Sequence, residues 1–173
     1  MNPPTDSYPQ RPWLVQDIIK ERSFTLLGGS AAAGKSTLIC QGIHEWLTVQ
    51  TFLGFPCYRA PKFYYIAFDR LIASIYDQLG LMGIFFDGYV NIQSYAMLDL
   101  TTQNDFDLPQ MATGDVLVLD GLDFLVHGGN INEFRAVAKL CRQCIQTIRL
   151  REISIIGIVG ANKHKLGKDE TNQ

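Results

Sequence analysis

Eight consecutive residues, 29–36, fit the pattern G-x-x-x-x-G-K-[ST], which is typical of a P-loop, a loop that binds phosphate groups. Such a loop directs successive backbone N–H groups and the positive end of the following helix at one anion. Lys35 would reach the β- and γ-phosphates, and the Ser36 hydroxyl would bind Mg²⁺. The alternative is a Gly- and Ala-rich turn that contains Lys35 by chance. The residues predicted to bind the nucleotide are Gly29, Ser30, Ala31, Ala32, Ala33, Gly34, Lys35, Ser36 and Thr37.

A second magnesium ligand is predicted at Asp120, which directly follows the apolar run 116–119. A buried strand beside the P-loop strand would deliver this carboxylate to an ion held by Ser36. The alternative is that Asp120 caps a helix or turn ahead of Gly121. Asp123 is a nearby competitor, and we expect it to cap a helix or to contact a neighbouring loop.

Hydrolysis also needs a group that orients the attacking water. In many ATPases a Glu directly follows the magnesium Asp, but Gly121 stands there in this chain. Asp69 follows the apolar run 63–68, and the strand ends at one edge of a parallel sheet converge on the ligand crevice. Asp69 is therefore the candidate for the carboxylate that orients the water. The predicted catalytic residues are Lys35, Asp69 and Asp120. The alternative for Asp69 is a salt bridge to Arg70 or an N-cap for the helix that follows.

The elements that must position these residues alternate between strands and helices. Apolar runs predict strands at 23–27, 63–68, 89–92, 116–119 and 153–160, and helical spacing predicts helices at 35–48, 71–79 and 133–150. Strands that are apolar throughout are typical of a sheet buried on both faces. The sequence therefore predicts an α/β fold with a parallel sheet and helices on both faces.

Composition limits the function classes further. The length of 173 residues and the 47% hydrophobic content favour one domain with a substantial core. A net charge of −2 means that any nucleic-acid contact must come from a local basic patch. No apolar run is long enough to span a membrane, so we expect a cytoplasmic protein without a membrane partner. Cys141 and Cys144 form a C-x-x-C pair, which we interpret as two reduced, partly buried thiols rather than a redox or metal site.

Four segments together resemble the RecA-like P-loop ATPases: the P-loop, 52–56, 62–69 and 116–122. The resemblance is to the branch of the RepA-type hexameric replicative helicases and their phage and plasmid relatives, and it covers about residues 13–165. Four prolines within 1–12 predict a lead-in and residues 13–19 an amphipathic edge element, so we divide the chain into this N-terminal part at 1–22 and a RecA-like ATPase core at 23–173. The acid after the second strand is usually Glu in that family, where this chain has Asp69. The family's core continues beyond the strand matching 153–160, so we expect those C-terminal strands to be missing.

The resemblance also implies a function. It predicts ATP binding and hydrolysis with Mg²⁺ in a DNA helicase or DNA-associated motor, with single- or double-stranded DNA and further copies of the chain, in a ring or filament, as partners. Asn162 or Lys163 would sense the γ-phosphate, and the basic run after them would approach the nucleic acid or form a solvated terminus. The alternatives are an assembly or regulatory ATPase with weak hydrolysis and a small-molecule P-loop kinase.

Overall fold

The computed structural model describes residues 11–30, 32–68, 71–81, 88, 90–94, 110–125 and 134–161. The strands within these ranges are β1 (Trp13–Val15), β2 (Ile19–Lys20), β3 (Phe24–Ser30), β4 (Thr51–Phe52), β5 (Phe55–Pro56), β6 (Phe63–Ala67), β7 (Val90–Ser94), β8 (Val116–Asp120) and β9 (Ser154–Ala161). The helices are α1 (Lys35–Val49), α2 (Ile72–Leu81), α3 (Leu122–Leu125) and α4 (Phe134–Arg151). None of the helices in this part of the chain is long and apolar enough to cross a lipid bilayer.

Five strands form one parallel sheet in the order β3-β9-β8-β6-β7. This confirms the predicted α/β fold with a parallel sheet. The prediction that β8 lies beside the P-loop strand β3 is wrong, because β9 lies between them. Leu27 of β3 and Asp120 of β8 both pair with Ile158, on opposite sides of β9. The apolar runs could not reveal this order, because runs such as those of β8 and β9 have the same pattern whichever strand lies beside them.

Helices cover both faces of the sheet. On one face α1 and α2 bury Ile43, Trp46 and Ile75 in a core that also contains Tyr65 and Ile156. On the other face α3 and α4 contribute Leu122, Leu140, Cys144 and Ile148, which pack with Leu117 and Ile155. Residues 155 and 156 thus belong to different cores, as the alternation of side chains along a strand requires.

Two short hairpins complete the α1 face. The predicted edge element is the antiparallel pair β1–β2, whose Leu14 and Ile19 are buried in the same core as α1. The apolar turn predicted at 52–56 is the hairpin β4–β5, in which Leu53 and Gly54 both adopt positive φ. Gly42 of α1 makes room for this hairpin, because a Cβ there would lie 2.4 Å from the ring of Phe52.

Candidate nucleotide site

The P-loop joins β3 to α1, as the motif predicts. Gly34 is the N-cap of α1 and has a φ of 77°, in the left-handed region that favours glycine. A Cβ at Gly34 would meet no atom within 4 Å, so conformation rather than space requires glycine there. No side chain caps α1 and its first turn contains no acidic residue. The first N–H groups of a helix have no partner inside the helix, so this helix start favours an anion electrostatically.

The Lys35 side chain folds back over the P-loop. Its Nζ atom donates hydrogen bonds to the carbonyl oxygens of Gly29 at 3.0 Å and Ser30 at 2.8 Å. The ammonium group is thereby held next to the loop's backbone, where the motif requires a cation for the phosphates.

Asp120 lies beside the P-loop although a strand separates β8 from β3. The Ser36 hydroxyl donates a hydrogen bond to Asp120 Oδ1 at 3.0 Å. Ser36 reaches this carboxylate because it lies in the first turn of α1, on the face of the sheet toward which Asp120 projects. Asp120 is only 2% exposed, so the surrounding side chains restrict the position of its carboxylate.

Tyr65 holds the second oxygen of the same carboxylate. Its hydroxyl donates a hydrogen bond to Asp120 Oδ2 at 2.5 Å from within the core. The register pairs Ala67 with Asp120, and Tyr65 lies two residues earlier on the same face of β6. The role of Tyr65 is not predictable from its sequence context, because an aromatic residue in an apolar run indicates core packing. The signal that would have revealed it is the pairing of β6 with β8.

The neighbouring acid Asp123 has a different environment. Its Oδ1 atom accepts a hydrogen bond from the backbone N–H of Gly160 at 3.1 Å, which ties the start of α3 to the end of β9. Gly121 has a φ of 87°, so a Glu at this position would be strained. The backbone therefore disfavours the acid that follows the magnesium Asp in many ATPases.

Thr37, the last predicted nucleotide contact, bridges two helices. Its Oγ1 atom accepts a hydrogen bond from Gln78 Nε2 of α2 at 2.7 Å. This bond attaches α2 to the first turn of α1, one residue after Ser36. The predicted site residues Ala31, Asp69, Asn162 and Lys163 lie outside the described residues, and their roles stay predictions.

The residues that meet at this site fit a magnesium ion. Ser36 and Asp120 offer a hydroxyl and a carboxylate, the hard oxygen ligands that Mg²⁺ prefers, and Mg²⁺ in phosphate sites takes its other ligands from water and the nucleotide. Across the described ranges no three His, Cys, Asp or Glu residues cluster as a metal site made by protein ligands alone would require.

The cysteine pair lies on α4, on the opposite face of the sheet from α1. Cys144 is fully buried and Cys141 is partly buried, and both are free thiols. Burial, with a smaller contribution from Cys141, raises the pKa of the Cys144 thiol to about 12. A thiol that keeps its proton is a poor nucleophile and a poor metal ligand.

Comparison with known proteins supports the class of the domain. Residues 5–78 match a protein-family model described as an AAA domain, a range that contains the P-loop and β6. No curated protein matches the chain. The match and the parallel sheet together support an ATPase-type domain of the P-loop superfamily.

Proposed function

We propose that this chain binds ATP with Mg²⁺ and hydrolyses it to ADP and phosphate. The observation that supports this most strongly is the 3.0 Å contact between Ser36 Oγ and Asp120 Oδ1. It unites two residues 84 positions apart, each of which sequence reasoning had assigned to the same ion. Their meeting beside the start of α1 is the arrangement that phosphoryl-transfer sites require.

The residues of the chain would act mainly by positioning and by neutralising charge. Lys35 would leave the carbonyl oxygens of Gly29 and Ser30 and bind the β- and γ-phosphates. The N–H groups of the P-loop would bind the same oxygens, and Tyr65 would keep the Asp120 carboxylate oriented. Mg²⁺, when bound with the nucleotide, would neutralise charge that develops on the phosphates. Asp69 would orient the water for in-line attack, and Asn162 or Lys163 would sense the γ-phosphate.

We place the ATPase in a DNA helicase or a DNA-associated motor of the RecA-like type, in the RepA-type branch. The segments at 52–56 and 62–69, which carry the resemblance, support this assignment. A RecA-like motor works as a ring or filament of identical subunits, so we propose a homo-oligomer that acts on DNA in the cytoplasm.

A second candidate is an assembly or regulatory ATPase that hydrolyses slowly. The positive φ of Gly121 favours it, because that position disfavours an acid and hydrolysis would depend on the shorter side chain of Asp69. A small-molecule kinase has less support, since the arginines concentrated on α4 lie on the face of the sheet opposite the P-loop helix, where they could not form a lid over the nucleotide.

Steady-state ATP turnover separates these functions. The purified chain should hydrolyse ATP only with Mg²⁺, and DNA should accelerate the reaction if the chain is a motor. Turnover that is slow and indifferent to DNA would favour the regulatory ATPase. Phosphate transfer to a nucleoside, detected by product analysis, would favour the kinase. Absence of nucleotide binding would contradict all three.

A further inference from the structure

Helix α4 has a charge composition unlike that of the rest of the chain. Its 18 residues include five Arg or Lys and no Asp or Glu, although the whole protein has a net charge of −2. One third of the protein's 15 basic residues therefore lie on a single helix, and the other elements are correspondingly more acidic. A block of like charge on one element of an acidic protein indicates a localised positive field.

Three positive side chains of α4 form one ridge together with an amide. Lys139, Arg142, Gln146 and Arg149 are all exposed, and at 100° per residue they fall within an arc of about 80°. We call these four residues the α4 ridge. Leu140, Cys144, Thr147 and Ile148, which are buried against the sheet, lie on the opposite side of the helix. The ridge is thus the outermost line of the helix, and it extends for about 15 Å.

Helix stability does not explain the ridge. Basic residues in the last turn, such as Arg149, complement the helix dipole, but Lys139 and Arg142 lie in the middle of α4, where that effect has faded. Like charges three or four residues apart destabilise a helix slightly, and α4 contains no acid that would offset them. Among the described residues, neither Arg142 nor Arg149 forms an ion pair.

The positive surface continues past the end of the helix. A groove of about 500 Å³ beside Arg149 is also lined by Arg11 and Arg22. Its two acids are already engaged, since Glu152 pairs with Arg22 at 3.0 Å and Glu21 pairs with Arg59 at 3.2 Å. Arg22 is engaged by Glu152 in the same way, so among the described residues of the groove Arg11 is the further cation that stands outside an ion pair at the end of the ridge.

We propose that the α4 ridge binds the phosphate backbone of a nucleic acid without sequence preference. Charge complementarity supports this partner, and a ridge of about 15 Å matches about four phosphates along one strand of DNA. Ridge side chains that are only basic or amide suit phosphate contacts. An anionic membrane is a poorer fit, because a helix that binds a membrane surface inserts a continuous apolar face. The continuous apolar face of α4 is buried in the protein core, and its exposed apolar residues Ile145 and Leu150 lie on opposite sides of the ridge.

This inference rests on the DNA partner of the proposed function and adds where that partner binds, on the face of the sheet opposite α1. A nucleic acid on α4 would therefore leave the P-loop accessible. Loss of phosphate binding at the P-loop and loss of nucleic-acid binding at the ridge are separable, which allows the two proposals to fail independently.

Fluorescence anisotropy with a labelled oligonucleotide, in single-stranded and duplex form, tests the proposal. Arg142→Gln and Arg149→Gln should each weaken binding about threefold and together about tenfold. For the single strand, three phosphate contacts predict a slope of log K against log salt of about −2, and the double variant should be shallower by about 1.4. Lys62→Gln removes the same charge from an exposed position outside α4 and is the matched control, with binding unchanged.

Several outcomes would overturn the proposal. These are an absence of oligonucleotide binding by the wild-type chain, equal effects of Arg142→Gln and Lys62→Gln, or ridge variants that lose binding to anionic vesicles or polyglutamate but keep binding to DNA. ATP turnover without DNA should be the same in the ridge variants and the wild type. A wild-type chain that binds DNA through the ridge but hydrolyses no ATP would support this inference while contradicting the proposed ATPase.

Discussion

At the scale of single residues, Lys35 is the side chain that we propose binds the phosphates most directly. In the structure its ammonium group is bonded to two carbonyl oxygens of its own loop, at 2.8 and 3.0 Å. Lys35→Ala should weaken Mg-ATP binding by about tenfold to a hundredfold, since charge-assisted hydrogen bonds contribute about 1.5–3 kcal/mol. Calorimetric titration measures this loss. Lys62→Ala, at an exposed lysine away from the P-loop, should bind normally, and near-normal affinity in Lys35→Ala would contradict the P-loop assignment.

Asp120 is expected to act through the metal. Asp120→Asn should weaken ATP binding in the presence of Mg²⁺ more than in its absence, because only the metal shell depends on the negative charge. Titrations with Mg²⁺ and with a chelator measure the two affinities. Asp123→Asn is the matched control, since Asp123 is bonded to Gly160 and should affect both conditions equally. If Asp123→Asn weakened only the Mg²⁺-dependent binding and Asp120→Asn weakened both equally, Asp123 would be the metal ligand.

Asp69 tests the mechanism of hydrolysis. A group that orients water stabilises the transition state more than it binds the nucleotide, so Asp69→Asn should lower kcat and leave ATP affinity nearly unchanged. Asp69→Glu lengthens the side chain to that usual in the resembled family and should raise turnover if reach is limiting. Steady-state rates and affinities, with and without DNA, measure both. Normal turnover in Asp69→Asn would show that this residue is a helix cap.

At the scale of elements, two helical glycines should respond oppositely to the same substitution. Ala normally stabilises a helix relative to Gly by about 0.5–1 kcal/mol, because Gly is more flexible in the unfolded chain. Gly80 of α2 has open space at its Cβ, so Gly80→Ala should stabilise the protein. Gly42→Ala of α1 should destabilise it, because the new methyl group would collide with the buried Phe52 ring. Urea denaturation measures both, and a shared sign would contradict the packing of β4 on α1.

The elements were largely predictable because their signals are local. Helical spacing predicted α1 and α4 to within a residue or two, and apolar runs predicted the central strands. The neighbours of each strand were not predictable, since β8 and β9 are both apolar throughout and either could lie next to β3. Tyr65 was missed for the same reason, because its partner Asp120 is defined only by the pairing of β6 with β8.

At the scale of the whole molecule, the buried thiol of Cys144 links stability to alkaline pH. Its pKa is raised from 9.0 to about 12 by burial, so the unfolded chain releases this proton at lower pH than the folded chain does. The stability of the folded protein is therefore unaffected by titration of this thiol below pH 9, and it decreases as the pH rises from 9 toward 12. The free energy of unfolding should fall by up to about 1.4 kcal/mol per pH unit through this one group.

The measurement is urea denaturation of wild type and Cys144→Ala on either side of the ordinary thiol pKa. The variant should be less stable at both pH values, since it leaves a small cavity, but its stability should fall less steeply with pH. Ile148→Val, another buried change on α4, should lower stability by the same amount at both pH values. If the stability of wild type and of Cys144→Ala fell equally with pH, the Cys144 thiol would not be the group that lowers stability at alkaline pH.

The position of β9 between β3 and β8 constrains the length of the P-loop independently of its composition. Leu27 and Asp120 face each other across Ile158, so they are separated by two strand spacings, about 9.6 Å. The segment from Ser30 to Ser36 must cross that gap and arrive with the hydroxyl at the carboxylate. Exchange of the Ser30 or Ala33 side chain would leave the crossing unchanged, whereas Ala32, with a φ of 58°, is limited to residues that tolerate left-handed backbone. Insertion or deletion of one residue would instead rotate α1 relative to Asp120 and separate the two halves of the site while leaving every strand in place.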